Sequence, residues 1–565
     1  MHLIEPDGHV ADGAQAVFRL LAIGGSHRGV ARRVWSRLPL MTYCALPGAA
    51  AIAERMYRLV ADHRPLFTRL TTFFWGRVTR PSTYARANWI FLRLLGLVYL
   101  VAFVSLATQI LGLVGHDGIL PASLYMDQAR RVLGDVGLDR FRVLPTLTWF
   151  SASDVFLRGL CWSGAALAVL LTAGILPAVA LPLLWLLYLS LSIVGRDFLG
   201  YQWDALLLET GLLAIFIAPL TFRHRLREAI DPPRLGVWLL LWLLFRLMLG
   251  SGAVKLASGD PTWRALTALT VHFWTQPIPT PLAWYANQLP AGWLKVSTAA
   301  VLAIELIAPF LMLGPRRMRA LVFGLFVGFQ LLIALTGNYA FFNMLTAGLC
   351  VFLLDDAALA RITAPAARTT VPRDRLGAAR RLVIRIVALV TVPISLFVFL
   401  GSLGIALPGW TIVAPVAGVV EPFRSVNTYG LFAVMTTTRP QIVVEGSDDG
   451  TVWQAYGFKD QPSDVHQPLS WVAPHQPRLD WQLWFAALGQ YDREAWFTNF
   501  CVRLLQGSPD VLRLLRHDPF AGRPPRYVRA RLYQYRFTDA ATRRTSGAWW
   551  TREQVGAYSP VLALP

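Results

Sequence analysis

The 565-residue sequence contains only 4 cysteines, and no two of them are spaced as a CxxC pair. Thiol-disulfide exchange needs a thiolate of low pKa and a second thiol that resolves the mixed disulfide. A dithiol redox site of this kind is therefore excluded. Cys501 is the only cysteine after residue 404, so the carboxyl-terminal segment cannot form an internal disulfide.

Other catalytic patterns are also missing. No serine or cysteine lies in a GxSxG elbow, so a pairing of His475 with Asp480 would lack the nucleophile of an acyl-transfer triad. His272 has no second ligand at a spacing such as HxxxH, and CxxC is absent. We therefore expect no metal, no cofactor and no enzymatic activity.

Lysine is almost absent, and the net charge of +20 comes mainly from arginines spread over many loops. A nucleic-acid interface usually concentrates its basic residues on one face. The dispersed arginines instead indicate membrane topology signals and contacts with lipid headgroups. We expect membrane lipid, and no nucleic acid, among the partners.

Apolar residues are abundant: 55% of the chain is hydrophobic, 15% is charged and the mean hydropathy is +0.46. No single soluble core absorbs that much apolar surface. Nine apolar stretches between Trp89 and Gly404 predict a polytopic α-helical membrane protein with about nine spans. The predicted spans are residues 89–113, 155–175, 177–194, 204–221, 235–253, 296–313, 319–336, 339–354 and 382–404.

Arginine clusters occur on every second loop and predict the orientation of the chain. They lie at residues 28–86, 223–234, 316–319 and 361–381, and by the positive-inside rule each belongs to the cytoplasmic side. With nine spans, the amino terminus is cytoplasmic and the segment after Gly404 is periplasmic or lumenal. Residues 1–88 contain no cleavable signal peptide, so the first span is predicted to be an uncleaved signal anchor.

Placing a charged side chain inside a membrane span costs free energy, so each charged residue within the predicted spans is expected to have a structural or functional role. Glu209, Arg246 and Glu305 lie well inside three consecutive spans at similar depth, where opposite charges can pair. One interpretation is an ion-paired clasp that fixes helix packing. The other is a buried polar site that opens outward, supplied by Asp204, Lys255, His272 and Gln330.

The loop between the fifth and sixth predicted spans is unusually aromatic. Its prolines exclude a long helix, and an interfacial belt or a re-entrant segment suits its aromatic residues, which are Trp263, Trp274, Trp284 and Tyr285.

After Gly404 the pattern changes to alternating apolar and polar residues. QIVVEGSDDGTVWQAYGF predicts a β-hairpin around Asp-Asp-Gly, and RYVRARLYQYRFT predicts another strand. Two helical patterns lie between them, so we expect an α+β domain with an antiparallel sheet over residues 405–565. The aromatic residues of this domain form either its core or a surface that binds an apolar partner. The candidate client-binding surface comprises Trp471, His475, Arg478, Asp480, Trp481 and Trp484.

The amino-terminal segment predicts a short strand, His2 to Glu5, then a Pro-Asp-Gly turn and a helix from Ala14 to Ala22. HLIEPDGHVADGAQAVFRLLA and MYRLVADHRPLFTRLTTFFWG resemble the carboxyl-terminal half of the DCC family of thiol-disulfide oxidoreductases. That family carries its reactive cysteine pair near its amino terminus, a region without a counterpart here. The resemblance implies that residues 1–80 are the remnant of a thioredoxin-like domain, with Cys44 as a structural thiol.

Residues 85–565 resemble the lipase maturation factor family. The membrane region carries FLRLLGLVYLVAF, GHDGILPA, DALLLETG, GSGAVKL, HFWTQPIPTPLAWY, IELIAPF and LTGNYAFFN, and the carboxyl-terminal region carries VVEGSDDGTVWQAYGFK, PHQPRLDWQLWFAAL and PPRYVRARLYQYRFT. The resemblance implies a membrane domain at 85–404 and a chaperone that helps secreted lipases fold and assemble. It also implies the ER membrane in a eukaryote, or the inner membrane in a bacterium.

A different class of function stays open. The polar spans are loosely similar to membrane proteins related to vitamin K-dependent carboxylase. On that alternative the protein is an integral-membrane enzyme, and its buried Glu, Arg, Lys and His residues are catalytic.

Overall fold

The structure is a computed structural model that describes residues 2–4, 10–26, 30–75, 81–134, 137–360 and 378–565. The chain forms two compact units, Met1–Pro81 with Pro315–Arg317, and Ser82–Gly314 with Met318–Pro565. The carboxyl-terminal segment therefore belongs to the same unit as the membrane helices. The predicted Pro-Asp-Gly turn and the arginines between residues 361 and 377 lie outside the described residues.

The first unit begins with an antiparallel ribbon of β1 (His2–Ile4) and β2 (Val10–Asp12). The predicted strand and the predicted helix that follows it are both present. Four helices complete the sequence of elements: α1 (Gly13–Ser26), α2 (Val30–Ala45), α3 (Ala49–Asp62) and α4 (Arg64–Trp75).

In the described residues, the membrane part of the second unit forms helices and no β-strand. Its α-helices are α5 (Ala85–Ala107), α6 (Ile110–Val114), α7 (Ala122–Leu133), α8 (Asp139–Val143), α9 (Asp154–Ala173), α10 (Pro177–Val194), α11 (Gln202–Ile215), α12 (Arg234–Ala257), α13 (Pro261–Arg264), α14 (Ala268–Thr275), α15 (Pro281–Asn287), α16 (Ala291–Leu306), α17 (Ala308–Leu311), α18 (Arg316–Thr336), α19 (Phe342–Cys350), α20 (Asp356–Leu359), α21 (Ala378–Ser402) and α22 (Trp410–Val420).

Six of these helices, α5, α9, α10, α12, α18 and α21, are long and apolar enough to cross a membrane. The pair α15 and α16, bent by 115°, is a possible seventh span. The predicted class of polytopic helical membrane protein is therefore confirmed, but the predicted count of nine is not. The predicted spans at 155–175, 177–194 and 235–253 coincide closely with α9, α10 and α12.

The predicted spans at 319–336 and 382–404 also coincide with α18 and α21, whereas the first, fourth and eighth predicted spans end early or are short. The first ends at Ala107, and the side-chain amide of Gln109 beyond it donates to the carbonyls of Ser105 and Gln476, both at 2.8 Å, instead of facing lipid. Helix α11 has 14 residues, about 21 Å, against the roughly 30 Å of a hydrocarbon core. The predicted span at 339–354 forms only α19 and a 3₁₀ turn, Val351–Leu353.

The carboxyl-terminal segment folds as the sequence predicts, around an antiparallel sheet. Its strands are β3 (Pro440–Ser447), β4 (Gln454–Ala455), β5 (Tyr527–Phe537) and β6 (Trp550–Ala557), in the order β4-β3-β5-β6. Strands β3 and β4 pair across the predicted Asp-Asp-Gly hairpin. The helices of this segment are α23 (Arg478–Leu488), α24 (Ala495–Leu505), α25 (Pro509–Leu512) and α26 (Ala540–Ser546).

The sheet and its helices share their apolar core with the membrane helices. One continuous cluster of buried residues includes Phe91 and Leu206 from the membrane helices together with Phe497 and Val528 from the carboxyl-terminal segment. Gly112 of α6 shows how close the approach is, because a Cβ atom there would lie 2.4 Å from the Asp510 carbonyl oxygen. The carboxyl-terminal segment is thus fixed to the membrane helices by packing.

Candidate functional site: a buried polar cavity and its ion pairs

Glu209 on α11 and Arg246 on α12 form a buried ion pair, and each side chain is only 3% exposed. The other Glu209 oxygen accepts hydrogen bonds from the Tyr429 hydroxyl at 2.7 Å and from the Asn427 backbone N–H at 3.1 Å. Arg246 Nη1 also donates to the Asn427 carbonyl at 3.2 Å. The pair therefore joins two membrane helices to the segment that follows α22.

Glu305 pairs with a different cation. Lys255, in the last turn of α12, donates to both Glu305 carboxylate oxygens at 2.8 and 2.9 Å, and both side chains are 6% exposed. The Lys255 ammonium also lies 5.2 Å from the centre of the Trp263 ring. Helices α12 and α16 are close here, since a Cβ atom on Gly252 would lie 2.8 Å from Glu305 Cβ.

The Lys255–Glu305 pair lines an interior cavity of about 110 Å³. His272 and Tyr339 also face this cavity, with 3.4 Å between His272 Nε2 and the Tyr339 hydroxyl. Gln330 lines it too and accepts from the Asn343 side-chain amide at 2.8 Å. The predicted polar site thus brings together Lys255, His272, Glu305 and Gln330, but not Glu209, Arg246 or Asp204.

The size and charge of the cavity limit its chemistry. Pockets for small molecules usually have volumes of about 300–1,000 Å³, whereas this one has room only for a few waters, and waters bind where several polar groups converge. Its cation and its carboxylate neutralise one another at hydrogen-bond distance. An ion-paired structural centre is what this geometry supports best.

Asp204 takes part in a separate buried ion pair. Arg478 at the start of α23 makes a two-point contact with its carboxylate, at 2.8 and 3.0 Å, and also donates to the Phe198 carbonyl. The Tyr188 hydroxyl donates to the same carboxylate. This pair joins the carboxyl-terminal segment to α10 and α11.

Arg439, at the start of the sheet, makes a second connection of this kind. Its fully buried guanidinium donates to the carbonyls of Trp274, Gln276 and Pro277 in the aromatic loop. It also lies over the Trp550 ring, 4.8 Å from the ring centre. One cation thereby satisfies three loop carbonyls that would otherwise lie unpaired in the interior.

Of the two interpretations of the aromatic loop, the interfacial belt is wrong for most of its residues, whereas the bent pair of α15 and α16 is compatible with a re-entrant segment. Trp263, Trp274 and Trp284 are buried, and only Tyr285 is exposed. The loop folds into α13, α14 and α15 and packs with Tyr535, Phe537 and Trp550 of the sheet. Its aromatics therefore cover the carboxyl-terminal sheet.

The predicted client surface needs a similar correction. Four of its six residues, Arg478, Asp480, Trp481 and Trp484, are at most 6% exposed and cannot meet a client in this conformation. Helix α23 packs them inward: the Trp481 and Trp203 rings lie 4.7 Å apart, and Trp484 donates to the Thr275 carbonyl. Trp471 is 53% exposed and His475 is half-buried.

Asp480 has a perturbed titration. Burial, reinforced by the nearby Asp460 carboxylate, raises the pKa of Asp480 to about 7. Its Oδ1 atom accepts the backbone N–H groups of Asp460 and Gln461 at 2.8 and 2.9 Å. This buried carboxylate therefore holds the backbone of the neighbouring loop in place, which is a structural role.

Sequence reasoning missed the partners that complete these sites. Tyr339 and Asn343 come from LTGNYAFFN, and Asn427 and Tyr429 from the NTYG segment after α22. The signal for these partners in the sequence was the occurrence of polar and aromatic residues close together beside an apolar run. In the part of the chain that the structure describes, no cluster of three or more His, Cys, Asp or Glu residues could hold a metal ion.

Known proteins match this chain over most of its length. Residues 86–361 match the family profile described as the lipase maturation factor transmembrane domain, and residues 425–560 match the lipase maturation factor C-terminal domain. Lipase maturation factor 2 of Gallus gallus is 36% identical over 85% of this chain and 82% of its own length. The corresponding protein of Homo sapiens is 36% identical over 84% and 82%, and lipase maturation factor 1 of Mus musculus is 33% identical over 86% and 88%. No solved structure matches the chain. The chain therefore belongs to the lipase maturation factor family.

Proposed function

We propose that this chain is a membrane-embedded maturation factor that helps secreted proteins, lipases in particular, to fold and assemble. The observation that carries this proposal is the similarity to lipase maturation factors over about 85% of the chain. The rigid attachment of the carboxyl-terminal segment supports it, because a client would then be held at a fixed place relative to the membrane surface.

The proposed orientation has the amino terminus in the cytoplasm and the carboxyl-terminal segment in the periplasm or the ER lumen. The arginine clusters on alternate loops support it.

The accessible part of the client surface lies around Trp471 and the outer face of α23. Phe485 and Leu488 are both 42% exposed, and their spacing of three residues places them on one side of the helix. Exposed aromatic side chains are common anchors at protein interfaces. We therefore propose that Trp471, Phe485 and Leu488 contact the client.

Crosslinking in native membranes tests this function. The chain is captured with its crosslinked partners, and secreted hydrolases among them are identified by mass spectrometry. Trp471→Ser with Phe485→Ser should reduce the yield of captured hydrolases several-fold. The matched control is Val452→Ser, on the exposed turn after β3 and 64% exposed, which should capture as much as the wild type. Absence of secreted hydrolases from the wild-type sample would contradict the proposal.

The alternative of a membrane enzyme depends on the cavity lined by Lys255, Glu305 and His272. Its volume of about 110 Å³ favours a structural centre that contributes to folding, not to turnover. Glu305→Gln should then change abundance and client secretion in proportion. An enzyme would instead lose activity at unchanged abundance.

We also propose that residues 1–80 are related to the carboxyl-terminal half of DCC-type domains and that Cys44 is a structural thiol. The single exposed thiol of this segment, Cys44, supports this reading. Cys44→Ser should leave client secretion unchanged, and a loss of secretion would contradict the proposal.

A further inference from the structure

A second, much larger cleft lies between the last membrane span and the outer ends of α10 and α11. Its volume is about 890 Å³, within the usual range for a bound organic molecule. Tyr125, on α7, and Val398, near the end of α21, both line it. The cleft therefore lies at the boundary of the membrane, on the side where α5 and α21 end.

One wall of the cleft is apolar and consists of α21 and α22. Ile394 and Val398 come from α21, and Trp410, Ala414, Ala417 and Gly418 come from α22. The three small residues of α22 leave the space open. On its other face α22 exposes Ile412 and Val416, at 80% and 44%, which suits contact with lipid chains. Helix α22 is thus a thin apolar wall between the bilayer and the cleft.

The opposite end of the cleft is polar. Arg424 lines this end and has left-handed backbone geometry, with φ of 47°, which is uncommon for a residue other than glycine. Its guanidinium donates to the Leu199 carbonyl at 3.3 Å. Across the described part of the chain, no carboxylate lies within ion-pair distance of Arg424, because nearby Asp204 is bound to Arg478. Glu421, which is exposed, lines the same end.

We propose that this cleft binds one glycerophospholipid, with its phosphate on Arg424 and one acyl chain along the small-residue face of α22. A guanidinium with spare donors is a strong phosphate ligand. Glu421 suits the ammonium of a zwitterionic headgroup such as phosphatidylethanolamine. The apolar wall of the cleft suits the acyl chain, and its polar end at the membrane boundary suits the headgroup. The bound lipid would stabilise α22 against α21.

Native mass spectrometry of the purified full chain tests the proposal. The protein is reconstituted in vesicles of phosphatidylethanolamine and phosphatidylglycerol, extracted in detergent and washed until surface lipid is removed. The wild type should retain one phospholipid. Ala417→Trp fills the cleft and should lower its occupancy about tenfold or more. Val416→Trp, on the lipid-facing side of the same helix, is the matched control and should retain the lipid.

Arg424→Gln keeps the cleft open but removes the charge. Loss of a charge-assisted hydrogen bond should weaken retention about tenfold. This variant keeps the test valid if Ala417→Trp fails to fold. The proposal would be overturned if all four proteins retained the same amount of lipid, or if the Val416→Trp control lost as much lipid as Ala417→Trp. Either result would mean that the lipid is bound only at the protein surface.

A photo-crosslinker identifies the class of occupant. With p-benzoylphenylalanine in place of Trp410, an aromatic residue that already lines the cleft, irradiation in native membranes should give a phospholipid adduct. A protein adduct at this position would overturn the proposal and assign the cleft to a polypeptide segment.

Discussion

Arg478 and Asp204 form a two-point buried ion pair, with Nη2 to Oδ1 at 2.8 Å and Nη1 to Oδ2 at 3.0 Å, and neither side chain is more than 1% exposed. One residue begins the first helix after the sheet hairpin, and the other lies on a membrane helix. The pair is therefore a direct link between the membrane helices and the carboxyl-terminal segment of this unit. Removing one partner leaves a charge unpaired in the interior.

Arg478→Ala should lower the free energy of unfolding by about 3–5 kcal/mol, because Asp204 would lose its cation. Combining it with Asp204→Asn should recover part of this loss. Thermal unfolding in detergent measures both effects, and proteolysis between residues 404 and 440 reports detachment of the sheet. Single variants as stable as the wild type would show that packing alone holds the segment.

Arg246→Ala should reduce the abundance of the protein in membranes, because Glu209 would remain charged in low dielectric. Adding Glu209→Gln should restore part of the abundance. Quantitative blotting measures the abundance of the wild type, the two single variants and the double variant, and client secretion is measured for the same four proteins. The two measurements together distinguish a structural clasp from an active site. Normal abundance in both single variants, with lost function, would contradict the clasp.

Gly252→Ala tests the close approach of α12 and α16. The added methyl would lie 2.8 Å from Glu305 Cβ and 3.0 Å from the Leu306 side chain, so the helices must separate. We expect a loss of about 1–3 kcal/mol in thermal unfolding measurements. The control is Gly324→Ala on α18, where a Cβ meets nothing within 4 Å, and it should be neutral or slightly stabilising. Equal effects from the two variants would refute the steric argument.

Asp480→Asn should remove a pH dependence of stability. The folded pKa of about 7 lies above the ordinary value of 3.8, so the folded state binds the proton more tightly. The contribution of Asp480 to the free energy of unfolding should therefore be greatest below pH 4 and should fall as the pH rises towards 7, by about a few kcal/mol.

Asparagine at position 480 keeps an oxygen for the two backbone N–H groups but carries no charge, so its stability should fall less over this range. Unfolding measured from pH 4 to pH 8 checks this. Asp464→Asn, with a side chain 68% exposed in the wild type, is the control and should keep the wild-type profile. An unchanged profile in Asp480→Asn would contradict the assignment.

Reporter fusions test the proposed orientation. Reporters after residues 230, 318 and 370 should read cytoplasmic, and a reporter after residue 565 should read periplasmic or lumenal. The reason is the arginine excess of the first three loops. A cytoplasmic reading at 565 would place the candidate client surface on the wrong side of the membrane for a secreted client.

The sequence was sufficient for the class of protein, for the long spans and for the carboxyl-terminal sheet. Helices α9, α10 and α12 match their predicted spans because uninterrupted apolar runs leave helix as the only way to pair backbone groups in lipid. The alternating runs at 440–447 and 527–537 became β3 and β5 because period-two patterning fits one buried face of a sheet. Elements of this kind can be predicted from local sequence without knowing how the rest of the chain folds.

Tertiary structure alone decided which polar residues meet. Glu305 pairs with Lys255, not Arg246, and Asp204 pairs with Arg478, 274 positions away. Spacing along one helix indicates depth in a membrane, but the rotation of each helix and the path of α22 to Asn427 depend on packing between distant segments. For the same reason Arg478, Asp480, Trp481 and Trp484 lie inside: the aromatic pattern of α23 marked an apolar face, and only the folded chain showed what covers it.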